Sequence, residues 1–372
     1  MVLGPGVGTA TAAPLGGARP VPSRLPAAGP VVIAHRGASG YRPEHTLAAY
    51  ELAVQQGADF IEPDLVSTRD HVLVALHDTE LSVATDVADH PELADRRTTK
   101  VVYGRSQTGW FVEDLTLAEV RTLRVKERMP QLRPQNTPFD GRYQVPTFAE
   151  VLSLRQRLAR TTGRPIGIYP ELKIPYYFRS IGLPLEPVFA RQLRLAALNA
   201  ATAPVIVQSF EPTSLRQLRD SYGMRVRLSF LTYPSGAPYD LSVQGDTRTY
   251  ADLNTAAGLK WLAGFVSVVA ADQSQVIPRR SDGRLGTPTA LPARVHAAGL
   301  QLHVYALRSE NTFLPVDYRL GSDPAADGRA SALDAAFLRA GADGVFCDQP
   351  DFCVAARKSV GTRSARGFLP RR

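Results

Sequence analysis

Four apolar residues run directly into a histidine, an arginine and a glycine at Val31-Val-Ile-Ala-His35-Arg36-Gly37. An unbroken apolar run of this length, bounded by a turn signal, fits a strand buried on both faces, as in a parallel sheet. His35 and Arg36 then emerge at its carboxyl end, where Gly37 lets the backbone bend. The pattern repeats at Phe60-Ile-Glu62-Pro63-Asp64. Glu62 and Asp64 are two residues apart, so on a strand both carboxylates point to one face. Adjacent carboxylates repel unless a cation sits between them, and Pro63, lacking an N–H, argues for a strand end over mid-sheet. After the turn Thr68-Arg-Asp-His71, the run Val72-Leu-Val-Ala-Leu-His77-Asp78 reads as a hairpin arm delivering another histidine.

Setting that arm aside, buried-strand signals recur at 31–34, 59–65, 166–171, 204–209, 225–231, 264–269, 300–306 and 343–347. Helical patterns alternate with them. Thr46 is placed to cap a helix through Val54 that Gly57 stops. Thr147-Phe-Ala-Glu150 forms a capping box opening a helix over 148–160, and 186–197 places Phe189 and Leu193 one turn apart. Eight strands alternating with helices predict an α/β fold, a (β/α)8 TIM barrel over residues 31–356, with chemistry at the carboxyl ends of the strands. Residues 79–145 are too long for an ordinary connection and predict a small inserted lobe over the barrel mouth. Residues 271–293 form a second long loop with no readable pattern.

The net charge of +8 suggests a nucleic-acid partner only until it is located. Arg19 and Arg24 precede the barrel, and Arg357, Lys358, Arg363, Arg366, Arg371 and Arg372 follow it, with no acid in either tail. The body is neutral, so no nucleic-acid surface is expected, and 357–372 reads as a basic C-terminal tail. Residues 1–30 hold six Gly, six Pro and six Ala, a composition that predicts a disordered segment. Nothing approaches the ~20 apolar residues of a transmembrane segment. Ala10-Thr-Ala12 resembles a signal cleavage site without the basic region that should precede it. Cys347 and Cys353 make no disulfide framework; they either pair in an oxidising compartment or serve as small buried residues.

Glu62, Asp64 and Glu171 offer three hard oxygen ligands from two strand ends, which suits Ca²⁺ or Mg²⁺ better than Zn²⁺. The alternative is a structural ion network with Arg36 and Lys173. Arg36 presents a planar fork and Lys173 a point charge, both suited to an anion. Phe210 reads equally as a pocket wall or as core. His45, His71, His90, His296 and His303 read as ordinary structural histidines, although His303 in Leu302-His-Val-Tyr-Ala306 has the phase to line the barrel.

The ordered set His35-Arg-Gly-Ala38, Pro43-Glu-His-Thr46, Glu62-x-Asp64, His77-Asp78, Val145-Pro-Thr-Phe-Ala-Glu150, Glu171-Leu-Lys173, Gln208-Ser-Phe210 and Gly341-Ala-Asp-Gly-Val-Phe-Cys-Asp348 resembles the glycerophosphodiester phosphodiesterase family over about residues 31–356. Thr85-Asp-Val-Ala88 and Asp114-Leu-Thr-Leu117 resemble the long insertion of exported, periplasmic-type members, so a secreted, periplasmic or cell-envelope location is expected. The chain departs from the family at His45, usually Asn, and at Asp70-His71, usually Asp-Gly. The resemblance implies metal-dependent hydrolysis of a small glycerophosphodiester to glycerol 3-phosphate and an alcohol. It further implies His35 and His77 as the acid/base pair, and a glycerol hydroxyl that attacks phosphorus to leave a cyclic phosphate that water opens. A sphingomyelinase or phospholipase D-type enzyme on the same barrel is the alternative enzyme, and a non-catalytic phospho-ligand barrel the alternative binder. Oligomeric state is not legible.

Overall fold

A computed structural model describes residues 29–366. The disordered reading of residues 1–28 and the Ala10-Thr-Ala12 site lie outside the described residues. Thirteen strands are present among them: β1 Val31–His35, β2 Phe60–Glu62, β3 Asp64–Ser67, β4 Leu73–Ala75, β5 Thr98–Val102, β6 Arg105–Gly109, β7 Gly167–Ile168, β8 Glu171–Leu172, β9 Ile206–Ser209, β10 Arg227–Thr232, β11 Val268–Asp272, β12 Gln301–Leu307 and β13 Gly344–Cys347. Around the barrel the pairing is parallel and closes on itself, because β1 pairs with both β13 and β2. The second and third barrel strands are each interrupted by a proline. Pro63 separates β2 from β3, and Pro170 separates β7 from β8. The ladder survives both breaks through the Glu171 N–H, which donates to the Pro63 carbonyl at 2.9 Å, and the Gln208 N–H, which donates to the Pro170 carbonyl at 2.9 Å. β4 pairs antiparallel with β3, the expected hairpin arm.

Period-two alternation sorts each strand into an outer and an inner face. Val31, Ile33, Phe60, Tyr169, Ile206, Leu231, Val268, Ala270 and Phe346 pack inside the barrel, while the intervening residues pack against the helices. Extending the inner phase by two residues at the carboxyl end predicts which side chains reach the mouth. From Ile33 it gives His35, from Phe60 it gives Glu62, from Tyr169 it gives Glu171 and Lys173, and from Phe346 it gives Asp348. His303 also has the inner phase, but it is fully buried against Tyr169, whose hydroxyl lies 3.0 Å from its Nδ1.

The surrounding helices start where side-chain caps allow. The helix Leu47–Gln55 opens on Thr46, whose Oγ1 accepts from Ala49 N–H. The helix Phe148–Thr162 opens on the complete Thr147/Glu150 capping box and ends at Gly163 in the left-handed conformation. A helix at Leu185–Leu195 matches the third expectation within two residues. At the end of the chain the helix Pro350–Arg366 packs on β1 and β13 and runs through the boundary expected at 356; Arg357 pairs with Asp59, and residues 367–372 lie outside the described residues.

Residues 79–145 carry the β5–β6 hairpin, several short 3₁₀ turns and a helical turn at Leu117–Val120. Their buried residues, among them Leu81, Phe111, Leu115, Val120 and Val125, belong to the same apolar cluster as the barrel's outer face. The insertion is therefore packed on the barrel through a shared core. Both departures from the family pattern stand at left-handed positions, His45 at φ 60° and His71 at φ 62°. Asn and Gly adopt that region with least strain, which accounts for their usual presence there.

Candidate functional site

The inner side chains at the barrel mouth enclose a cavity of about 220 Å³. His35, Arg36, Glu62, Asp64, His77, Glu171, Lys173 and Phe210 all line it, so every site residue expected from the sequence reaches one place. Gln208, Tyr233, Asp272, Tyr305 and Arg308 complete much of the wall.

Glu62, Asp64 and Glu171 are buried, and each offers a carboxylate oxygen within 4.8 Å of the others. Each is oriented by a fixed donor or ion pair. Arg36 N–H donates to Glu62 Oε2 at 2.7 Å, from a backbone held at φ 59°, and Gln208 Nε2 donates to Glu62 Oε1 at 2.9 Å. His45 Nε2 lies 2.9 Å from Asp64 Oδ2, and Lys173 Nζ 2.9 Å from Glu171 Oε1. Burial, followed by repulsion from Asp64 and Glu171, pushes the Glu62 carboxyl well up. Burial likewise raises Glu171, to about 8, even with Lys173 opposing it. Burial would raise Asp64 too, but Lys173 and His45 outweigh it and hold that carboxyl low. Crowded buried carboxyls of this kind are relieved by a hard divalent cation, and the all-oxygen donor set fits one. Arg36 and Lys173 contact the triad as the structural alternative expected, yet they do not exhaust its oxygens.

The two histidines flank this triad in a repeated arrangement. His35 Nδ1 lies 2.6 Å from Asp348 Oδ1, and His77 Nδ1 lies 2.8 Å from Asp78 Oδ1. A carboxylate at Nδ1 places the ring proton there and leaves Nε2 as the acceptor of the neutral ring. Burial, followed by the positive charge of Arg36, lowers both imidazoles, and His77 falls to about 3. Arg36 Nη1 donates to Glu44 Oε2 at 2.8 Å, while its buried Nε has no hydrogen-bond partner among the described residues. Phe210 stacks on Tyr233 with centroids 4.2 Å apart, so it is wall and packing at once.

Sequence reading assigned no role to Asp348, Asp78, Glu44, Arg128, Arg133, Arg308 or Tyr233. Asp348 was recoverable, since it lies two residues beyond Phe346 on the inner phase. His45, expected as a structural histidine, is buried with both ring nitrogens bonded, to Tyr50 and to the triad carboxylate of Asp64. Nothing local marks Arg128 or Arg133, whose partners are distant in sequence.

The model of the glycerophosphoryl diester phosphodiesterase family matches residues 35–352. A glycerophosphodiester phosphodiesterase of Arabidopsis thaliana is 35% identical over 335 residues, covering 86% of this chain and 83% of that protein. One from Treponema pallidum is 28% identical, covering 87% and 90%. Among solved structures, one from Silicibacter pomeroyi superposes with a TM-score of 0.62 at 20% identity, covering 90% of this chain and 95% of that one. A phosphodiesterase of Oleispira antarctica, solved in complex with the product sn-glycerol-3-phosphate, gives a TM-score of 0.52 at 20% identity, covering 88% and 96%. These structures share the barrel. Given the family match across the whole barrel, the chain belongs to the glycerophosphoryl diester phosphodiesterase family and is a phosphodiester hydrolase of that family.

Proposed function

We propose that His35 and His77 divide the proton transfers of glycerophosphodiester hydrolysis, beside a divalent cation held by Glu62, Asp64 and Glu171, yielding glycerol 3-phosphate and an alcohol. The observation that carries this reading is the flanking of one acidic triad by two histidines that share the same Nδ1–carboxylate geometry. Ca²⁺ is the preferred ion and Mg²⁺ the second, since a site of carboxylates with room for more oxygen ligands suits the larger cation. When bound, the cation would stabilise negative charge on the non-bridging phosphate oxygens.

The chain's own residues then bind, orient and move protons. Arg36 and Lys173 line the same cavity, and their positive charges offset the negative charge of the phosphodiester anion. One histidine takes the proton of the glycerol hydroxyl adjacent to phosphate as that oxygen attacks phosphorus. The other enters the step as the imidazolium, protonated at Nε2 as well as at the carboxylate-bonded Nδ1, and gives its Nε2 proton to the departing alkoxide. The cyclic phosphate left behind is opened by water with the two roles reversed, so no side chain becomes covalently modified. Phe210 forms part of the cavity wall against which the organic part of the substrate packs.

Phosphodiesterase activity on glycerophosphocholine, measured by release of glycerol 3-phosphate, tests the reading against sphingomyelin, which contains no glycerol. Chelation should abolish turnover, with Ca²⁺ or Mg²⁺ restoring it; full turnover after exhaustive metal removal would overturn the metal assignment. We also propose export from the cytosol. The Cys347–Cys353 disulfide supports it, because disulfides persist in oxidising compartments. Recovery of native protein only from the cytosol would count against it.

A further inference from the structure

The carboxylates behind the two histidines are themselves held, and in each case by an arginine from one short segment of the insertion. Arg133 Nη2 donates to Asp348 Oδ2 at 2.6 Å, and Arg128 Nη2 donates to Asp78 Oδ2. The two arginines are five residues apart, on the stretch leading into the 3₁₀ turns Pro134–Phe139. Neither is among the residues that line the cavity.

Their remaining hydrogen bonds reach the same machinery. Arg133 Nη1 donates to the Ser39 carbonyl at 3.0 Å, and the Ser39 hydroxyl donates to the His35 carbonyl at 2.8 Å. Arg133 therefore grips His35 from its backbone side and through Asp348. Arg128 Nε donates to Glu44 Oε1 at 3.0 Å, and the other Glu44 oxygen accepts from Arg36. Arg128 thus couples the carboxylate behind His77 to the one that orients Arg36. A simple glue between insertion and barrel needs no such targets. Arg121 shows what glue looks like here: it binds Glu150 and the Val145 carbonyl, neither of which is bonded to a cavity histidine or to its carboxylate.

We propose that Arg128 and Arg133 are positioning residues for the phosphodiesterase reaction, each fixing the carboxylate that orients one cavity histidine, so that the insertion completes the proton-transfer apparatus. This rests on the reading of His35 and His77 as the acid/base pair. A carboxylate left without its arginine is free to rotate or to be solvated, and the imidazole it holds then loses its tautomer and its aim.

The test compares Arg128→Ala, Arg133→Ala, Arg133→Lys and Arg121→Ala by steady-state kinetics on glycerophosphocholine, with guanidinium ion added back. Loss of an outer partner of this kind is expected to lower kcat roughly 10- to 100-fold, with KM nearly unchanged and partial recovery in guanidinium. Arg121→Ala is expected to lower thermal stability and leave kcat intact. Arg133 is buried beside two acids; should Arg133→Ala fail to fold, Arg128→Ala at its more open position decides the matter. Normal kcat in Arg128→Ala, a loss confined to KM, or the same loss in Arg121→Ala would overturn the proposal. His35→Ala and His77→Ala run alongside separate the two failures: if these retain activity the histidine assignment itself falls, whereas inactive histidine variants with active arginine variants refute only the positioning.

Discussion

His35 and His77 are held by the same device in two different settings. His35 ends a barrel strand, its partner Asp348 follows the neighbouring strand β13, and the two stand 313 positions apart in sequence. Asp348 is buried and accepts from Arg133 and, at 2.9 Å, from Arg308 as well. Burial alone would raise its carboxyl, but Arg308, Arg133 and His35 outweigh it and hold it well below the usual range. His77 follows the hairpin arm, its partner is the next residue in the chain, and their side chains are 29% and 38% exposed. Arg128 is the single arginine bonded to Asp78 among the described residues. The first station is fixed by the barrel together with Arg133 of the insertion, and the second by a loop and the insertion. A catalytic pair can therefore be matched in geometry while differing in how much of the fold depends on each member.

That contrast breaks most readily at the histidines. His35→Ala and His77→Ala should each lower kcat by roughly 10²- to 10⁴-fold, the usual contribution of one positioned acid or base. Metal binding, followed calorimetrically, should persist in both, since neither imidazole is a triad member. Near-normal turnover in either variant would leave that station without a catalytic role.

The next largest effect separates the stations by stability. Asp348→Asn removes the negative charge facing two arginines in a buried site and should cost up to about 3 kcal/mol in denaturant unfolding, as for breaking one side of a buried ion pair. Asp78→Asn should cost less than about 1 kcal/mol, because solvent screens a pair this exposed. Both should lower kcat. Equal stability losses would show that the difference in burial has no energetic consequence.

A smaller effect is expected at His45. Its left-handed backbone accommodates Asn, and the substitution removes at most the hydrogen bonds to Tyr50 and Asp64. His45 stands behind a triad carboxylate and not in the cavity wall, so kcat for His45→Asn should fall by no more than roughly tenfold, the mild end for loss of an outer partner. A hundredfold loss, with the metal affinity measured in parallel, would promote His45 to an essential partner of Asp64.

Much of the site was legible because strand periodicity is strict. Once Val31 and Ile33 are inward, His35 must be, and the same phase carries Glu62, Glu171 and Lys173 to the mouth. The family resemblance supplied what spacing does not, namely that His77 on a hairpin arm belongs with His35 on the first strand. The supporting arginines stayed hidden because the insertion has no period: Arg128 and Arg133 look like surface charges until the 3₁₀ turns bring them beneath the barrel mouth. At the end of the chain the basic run begins inside the helix Pro350–Arg366, a helix that no strand periodicity marks.

The division of proton transfers between the two stations is tested most directly by a substrate whose leaving alcohol is already acidic, a nitrophenyl ester of glycerol phosphate. Such an alcohol departs without a proton, so the variant lacking the general acid should regain most of its lost turnover. The variant lacking the base should not, because the attacking hydroxyl still has to be deprotonated. Recovery of one of His35→Ala and His77→Ala and not the other is the expected result, and it names the acid. Equal recovery of both would contradict the account.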